Sequence, residues 1–212
     1  RLLGGGQVQS VRAMTGRWDA SRPTEGAYSA LLQFENGAFA NVTYNGHGHF
    51  DSDIWMDHVG EMGNPKPPSE SAQRYGQAKR RLVTAQNSAE ETALKAARNY
   101  GGNLYTPADI HATSYQHFGP VIVSCEKGDI RLTPSGIWVY GPENADFVAL
   151  PAPKVPRAEV IKELCQAIQQ QTPLTHTGEW ARATTEVCLS LIEAAQTGQA
   201  IHLKHQVAVH HA

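Results

Sequence analysis

Tyr28-Ser29-Ala30-Leu31-Leu32-Gln33-Phe34-Glu35-Asn36-Gly37-Ala38-Phe39-Ala40-Asn41-Val42-Thr43-Tyr44 is the stretch on which the fold turns. Two runs of strand-forming residues flank Asn36-Gly37, and Asn-Gly suits both positive-φ positions of a two-residue type I′ hairpin. Such a turn sets the register, with Phe34 opposite Phe39, Leu32 opposite Asn41 and Leu31 opposite Val42. One face then carries Tyr28, Leu32, Phe34 and Phe39, and the other Leu31, Val42 and Tyr44. Neither is polar throughout, whereas an antiparallel sheet normally leaves one face wet. Helices are expected on one face and a second subunit or domain on the other, most simply by symmetric self-association.

Working outward, Val8, Ser10 and Arg12 alternate with Gln9, Val11 and Ala13 as a preceding strand. Before it, Arg1-Leu2-Leu3-Gly4-Gly5-Gly6 reads as the last turn of a helix and its glycine stop. With no initiator Met, the chain is expected to be a piece of a longer protein. Downstream, short strands are predicted at 120–125, 130–133, 137–141 and 147–150, joined by Gly-, Asp- and Pro-bearing turns. A helix follows with Pro156 near its first position and an apolar stripe of Val160, Ile161, Leu164, Cys165 and Ile168. A second helix, at about 178–197, is expected to turn Val187, Cys188, Leu191, Ile192 and Ala195 inward. Gly198 ends it, and a last short strand spans 201–203.

Between the hairpin and the meander lies Asn45-Gly46-His47-Gly48-His49-Phe50-Asp51-Ser52-Asp53, then Pro65-Lys66-Pro67-Pro68, which ends regular structure. A polar helical region is predicted over roughly 69–100, within an insertion at about 65–104. Strands come first and helices are segregated afterwards, without a βαβ rhythm. The plan is α+β: an open, largely antiparallel sheet with helices packed on one face, a single domain over 1–212.

The chain of 212 residues is 41% hydrophobic and 18% charged, with a formal charge of -2, so nothing electrostatic points to nucleic acid or an anionic membrane. Lys79-Arg80-Arg81 reads as a solvated helix face. No apolar run reaches the roughly 18–20 residues of a membrane span. Cys125, Cys165 and Cys188 show no CxxC spacing; Cys165 and Cys188 are expected to be buried, and a reducing, cytoplasmic setting fits.

In an extended chain His47, His49, Asp51 and Asp53 would point one way. Two imidazoles and two carboxylates could contact a polar substrate, ligate a divalent metal, or simply shape a loop. Arg17-Trp18-Asp19, with Arg22 nearby, joins a cation, an aromatic and a carboxylate that could grip an anionic aromatic substrate or form a local surface ion pair. His111, Tyr115 and His117 are read as structural, a nucleophilic Cys125 is disfavoured, and His205, His210 and His211 carry no assigned role. Gly46-His47-Gly48 lacks the third glycine and βαβ setting of a dinucleotide fingerprint, and no P-loop, GxSxG or HExxH occurs.

Arg1-Leu2-Leu3-Gly4-Gly5-Gly6, Gly26-Ala27-Tyr28 leading to Phe34-Glu35-Asn36-Gly37, and Tyr44-Asn45-Gly46-His47-Gly48-His49-Phe50-Asp51 together resemble the C-terminal domain of the glucose–fructose oxidoreductase/inositol dehydrogenase-like family. Gly178-Glu179-Trp180, Leu191-Ile192-Glu193 and Thr197-Gly198-Gln199 agree, and the text is similar to the phthalate dihydrodiol dehydrogenase-like branch. The resemblance implies a parent enzyme whose N-terminal Rossmann domain binds NAD or NADP. It implies a small-molecule substrate and homo-oligomer contact through the sheet face of this domain. Catalytic residues, including the lysine of a Glu-Lys-Pro motif, are then expected outside this chain, which by itself would bind no cofactor and be inactive. The substrate-side candidates here are Arg17, Trp18, Asp19, His47, His49, Asp51 and Asp53. The alternatives are a metal-dependent enzyme built on the His47–Asp53 loop and a pure assembly module.

Overall fold

The protein is described from a computed structural model, in which residues 1–20, 25–67, 85, 87–97, 99–105, 113–154 and 158–209 are described. In chain order the strands are β1 (Val8–Gly16), β2 (Ala27–Phe34), β3 (Phe39–Asn45), β4 (Val121–Cys125), β5 (Gly128–Thr133), β6 (Gly136–Tyr140), β7 (Ala145–Ala149) and β8 (Ile201–His202). Among the described residues the α-helices are α1 (Ser88–Ala96), α2 (Ala158–Gln170) and α3 (Gly178–Thr197). The class is α+β with antiparallel strands. They form two four-stranded sheets, ordered β3-β2-β1-β8 and β4-β5-β6-β7, and the chain separates into two compact units, Arg1–His47 with Val160–Ala212, and Gly48–Glu159.

In the first unit the hairpin forms, but with a longer loop than Asn-Gly implies. The Phe34 N–H donates to the Ala38 carbonyl at 2.9 Å, and that of Gly37 to the Phe34 carbonyl at 3.1 Å. Gly37 sits at φ 87, while Asn36 keeps a negative φ. A three-residue loop closed by a left-handed glycine results. Asn36 is held out of the left-handed region by its own side chain: Oδ1 accepts the Ala38 N–H at 3.0 Å and Nδ2 donates to the Gly4 carbonyl at 3.3 Å. The extra residue shifts the register by one, so Gln33 faces Phe39, Leu32 faces Ala40 and Ala30 faces Val42. The expected faces are corrected accordingly, because a one-residue slip inverts every side chain. Phe39 joins Leu31 on the outer face, and Val42 and Tyr44 join Tyr28 and Leu32 on the inner one.

The inner face is the core: Val8, Val11, Ala13, Ala30, Leu32 and Phe34 pack against Val187 and Ala194 of α3. Each large apolar side chain buried here contributes about 1.5–3 kcal/mol. Thr177 caps α3 by accepting the Trp180 N–H, and Gly198, left-handed at φ 68, ends it. The inward stripe is Ala183, Val187, Ser190 and Ala194. Its small side chains let the helix lie close to the sheet, which rotates the helix away from the expected stripe. Cys188 and Ile192, expected inward, are exposed.

The α2 stripe of Val160, Ile161, Leu164 and Ile168 is likewise exposed, and so is Cys165. Four strands at about 4.8 Å spacing are about 14 Å wide, room for one helix about 10 Å across but not two. The outer face shows Met14, Leu31 and Phe39 to solvent. At the N-terminus, Leu2–Gly4 is a single 3-10 turn closed by left-handed Gly5.

Glu186 of α3 ties down the segment after β8. Its carboxylate accepts the N–H groups of Lys204 (2.7 Å) and His205 (2.9 Å) and the Gln206 side-chain amide (2.7 Å). Burial pushes this carboxyl upward, but the hydrogen bonds from Lys204, Gln206 and His205 outweigh it and leave the group below the usual carboxylate range. Gln206 in turn accepts from Arg1 Nε, and the Arg1 guanidinium lies 3.9 Å over the Trp180 ring.

In the second unit β4–β7 form an antiparallel meander whose alternation sorts side chains cleanly. Ile130, Leu132, Ile137, Val139 and Val148 share one face; Arg131, Thr133, Trp138, Tyr140 and Phe147 share the other. Of the predicted polar helical region, α1 is described, its Asn87 cap accepting the Glu90 N–H at 2.9 Å. Lys79-Arg80-Arg81, Arg22, His111, Pro156, His210 and His211 lie outside the described residues.

Candidate functional site

The loop after β3 does not continue as a strand. Asn45 Oδ1 accepts the His47 N–H at 3.0 Å and the Gly46 N–H donates to the Gly26 carbonyl at 2.8 Å, which turns the chain. Asp51 then caps a 3-10 helix over Ser52–Met56, accepting the Asp53 N–H at 3.1 Å. The expected common face of His47, His49, Asp51 and Asp53 therefore does not form. His47 belongs to the first unit, and the other three to the second. Among the described residues no group of three or more His, Cys, Asp or Glu is arranged to hold a metal ion.

Within the first unit, His47 packs against Trp18, with ring centroids 5.6 Å apart. Its Nε2 is buried without a hydrogen-bond partner, beneath Gly26, where any side chain would strike the ring. Arg17 turns its guanidinium to the Ala20 carbonyl at 3.2 Å. Trp18 is 70% exposed at the end of β1 and Asp19 is half-buried, so this strand end keeps an exposed aromatic.

In the second unit Asp51 and Asp53 converge on Lys66. Its ammonium bonds Asp51 Oδ2 and, at 2.7 Å, Asp53 Oδ2. Lys66 is only 3% exposed. The loop that carries it back is tight: Asp57 and His58 both adopt φ 57, Val59 bridges to Pro65, and the Lys66 N–H donates to the His58 carbonyl at 2.7 Å. His117 braces the same loop, its Nε2 2.8 Å from the Val59 carbonyl while Nδ1 accepts the Gly119 N–H. That is the structural role expected of it. Lys66 escaped sequence reading because Pro-Lys-Pro-Pro reads as a breaker. The missed signal is a charged residue held extended between two prolines, one short loop after two aspartates.

The arginine face of the second sheet was also missed. A shallow concavity of about 450 Å³ opens there, lined by Asp57, Arg131, Thr133, Trp138, Tyr140 and Phe147. Trp138 lies near Tyr140 and Phe147, at centroid distances of 6.0 and 5.1 Å. The alternation Arg131-x-Thr133 and Trp138-x-Tyr140 was its signal.

No family model matches the chain. It is 40% identical over 197 residues to a 1-carboxy-3-chloro-3,4-dihydroxycyclohexa-1,5-diene dehydrogenase of Comamonas testosteroni, a match covering 92% of this chain and 49% of that protein. The chain thus spans about half the length of the curated relative it matches. A crystal structure from Bordetella bronchiseptica RB50, assigned as a dehydrogenase, superposes with a TM-score of 0.78 at 34% identity, covering 93% of this chain and 50% of that one. An Agrobacterium radiobacter oxidoreductase, solved with NAD+, L-tartaric acid and magnesium, shares the fold at a TM-score of 0.53 and 13% identity, over 92% of this chain and 43% of its own.

Proposed function

The chain belongs to the glucose–fructose oxidoreductase/inositol dehydrogenase-like family, as its C-terminal domain, and from that premise we propose that its parent is an NAD(P)-dependent dehydrogenase. The substrate is a hydroxylated small molecule, sugar-like or a cis-dihydrodiol acid, and this chain supplies the substrate-binding and oligomerisation domain. The identity with the ring-diol dehydrogenase carries this reading.

The dinucleotide does not fit the described residues. The capped helices α1 and α3 open on Asn87 and Thr177 and carry Glu90, Glu91 and Glu179 in their first turns, which repel a pyrophosphate. Among the described residues no strand feeds a glycine-rich loop into a helix. The cofactor and its redox chemistry are assigned to the parent's Rossmann domain. The metal-enzyme alternative loses support, since Asp51 and Asp53 already serve Lys66. Among the expected contacts, Trp18 with His47 remains the candidate for a substrate edge in the first unit. Pairing of subunits is proposed through the outer face bearing Met14, Leu31 and Phe39.

The test follows nicotinamide absorbance with cis-dihydrodiol carboxylates and polyols, using the full parent protein and the 212-residue chain. Turnover by the parent and none by the chain is expected. Turnover or tight, stoichiometric NAD(P)H binding by the chain alone overturns the reading. Sedimentation of Leu31→Arg and Phe39→Arg checks the interface, and an unchanged oligomer refutes it.

A further inference from the structure

Resting on the dehydrogenase reading, we propose that the Arg131 face of the second sheet is a binding site for a flat ring carboxylate that also bears hydroxyl groups. Arg131 pairs directly with Trp138, and Trp138 with Phe147, across three neighbouring strands. Cation, indole and phenyl therefore stand in one row, with Thr133 and Tyr140 one pleat to either side on the same face. A volume of about 450 Å³ falls in the range of small-ligand pockets.

The arginine identifies the ligand's charge. Among the described residues its guanidinium takes part in no hydrogen bond and no ion pair, although Asp129 shares its strand face two residues away. A half-buried fork of five idle N–H donors matches a carboxylate, which it can hold by two parallel bonds. The rings identify the ligand's shape. Trp138, tilted against Phe147, offers an aromatic platform of the kind that accepts the face of a planar ring.

Asp57 identifies the ligand's hydroxyl groups. It lines the same concavity on a left-handed backbone, and a carboxylate there accepts from hydroxyl groups and repels a second anion. A neutral sugar leaves Arg131 without its partner, and a simple aliphatic acid leaves the rings uncovered. A carboxylated ring that also bears hydroxyls satisfies all three.

The test uses the full protein carrying this chain, with benzoate as the charged ring probe and benzyl alcohol as its neutral counterpart, read by calorimetry and by inhibition of turnover. Arg131→Ala is expected to weaken benzoate at least about tenfold, with partial retention in Arg131→Lys, a KM rise for the carboxylated substrate, and no change for benzyl alcohol. Trp138→Ala should weaken both probes. Its denaturation midpoint is recorded beside that of Arg131→Ala, which among the described residues has no hydrogen bond or ion pair to lose and should stay close to the wild-type midpoint. Benzoate affinity unchanged in Arg131→Ala, or absent in the wild type, overturns the site. If the wild type turns over its diol and Arg131→Ala does so with the same KM, the dehydrogenase reading stands and this site falls. If no hydroxylated compound reduces nicotinamide while benzoate still binds through Arg131, the site stands and the dehydrogenase reading falls.

Discussion

Replacing Lys66 with methionine removes a cation that bonds two carboxylates at once, those of Asp51 and Asp53. The Lys66 side chain is 1% exposed, and those of Asp51 and Asp53 only 11% and 15%. Methionine preserves the aliphatic stem, so the loss is chiefly electrostatic. Breaking a buried ion pair from one side costs about 3–5 kcal/mol, because the surviving charge keeps its desolvation penalty without compensation. Here two charges of the same sign survive. A loss within that range, about 3–5 kcal/mol, is expected for the second unit.

The triple variant Lys66→Met with Asp51→Asn and Asp53→Asn removes the whole cluster and keeps an oxygen acceptor at residue 51 for the Asp53 N–H. Its stability should return to within about 1.5 kcal/mol of wild type. Of the four tryptophans, Trp18 and Trp180 lie in the first unit. In a Trp18→Phe, Trp180→Phe background only Trp55 and Trp138 emit, and urea denaturation then reports the second unit alone. A single-variant loss under about 1 kcal/mol, or a triple variant weaker than the single one, refutes the reasoning.

Glu186→Gln removes a carboxylate held below its usual range. A depressed carboxyl contributes stability above its unfolded value near 4.3, and loses it as pH falls through the lower folded value. The variant should therefore be less stable at neutral pH and show a shallower acid limb below about pH 4.3 in pH-dependent melting. Phe34→Ala should cost about 3–5 kcal/mol and Phe39→Ala almost nothing in the dissociated single chain, since there Phe34 is 3% exposed and Phe39 78%. Equal costs in denaturation would restore the two-residue register. Gly37→Ala, with no atom near the added methyl group, should cost about 1–2 kcal/mol from backbone strain alone, measured the same way.

Much of the fold was legible because short-range chemistry dictated it. Turn residues and Gly198 marked the hairpin, the meander and the end of α3. The hairpin register was not legible, because the Asn36 amide chose a bond to Ala38 over the left-handed backbone its type permits. The inward face of α3 escaped for a different reason. Hydrophobicity favoured Cys188 and Ile192, whereas close approach to the sheet favoured Ala183, Ser190 and Ala194. At the candidate site, period-two alternation failed at Asn45, where a side chain turned the strand. The Lys66 partnership depends on two left-handed residues, Asp57 and His58, that no local preference announces. The Arg131 row requires knowing which of three strands pair, and in what register.

The first unit is assembled from two stretches of sequence with the entire second unit spliced between them. Ser10 and Val11 wait for His202 and Ile201 to complete their sheet, and the core of Val8, Leu32 and Phe34 waits for Val187 and Ala194. During synthesis the hairpin thus leaves the ribosome with a bare greasy side, and it stays bare until α3 has been made. Closing so long a loop is slow, and exposed strands are prone to wrong pairings meanwhile. Newly made chains therefore depend on chaperone shelter most before α3 emerges, and a stop codon just upstream of it would yield a chain that cannot finish its core.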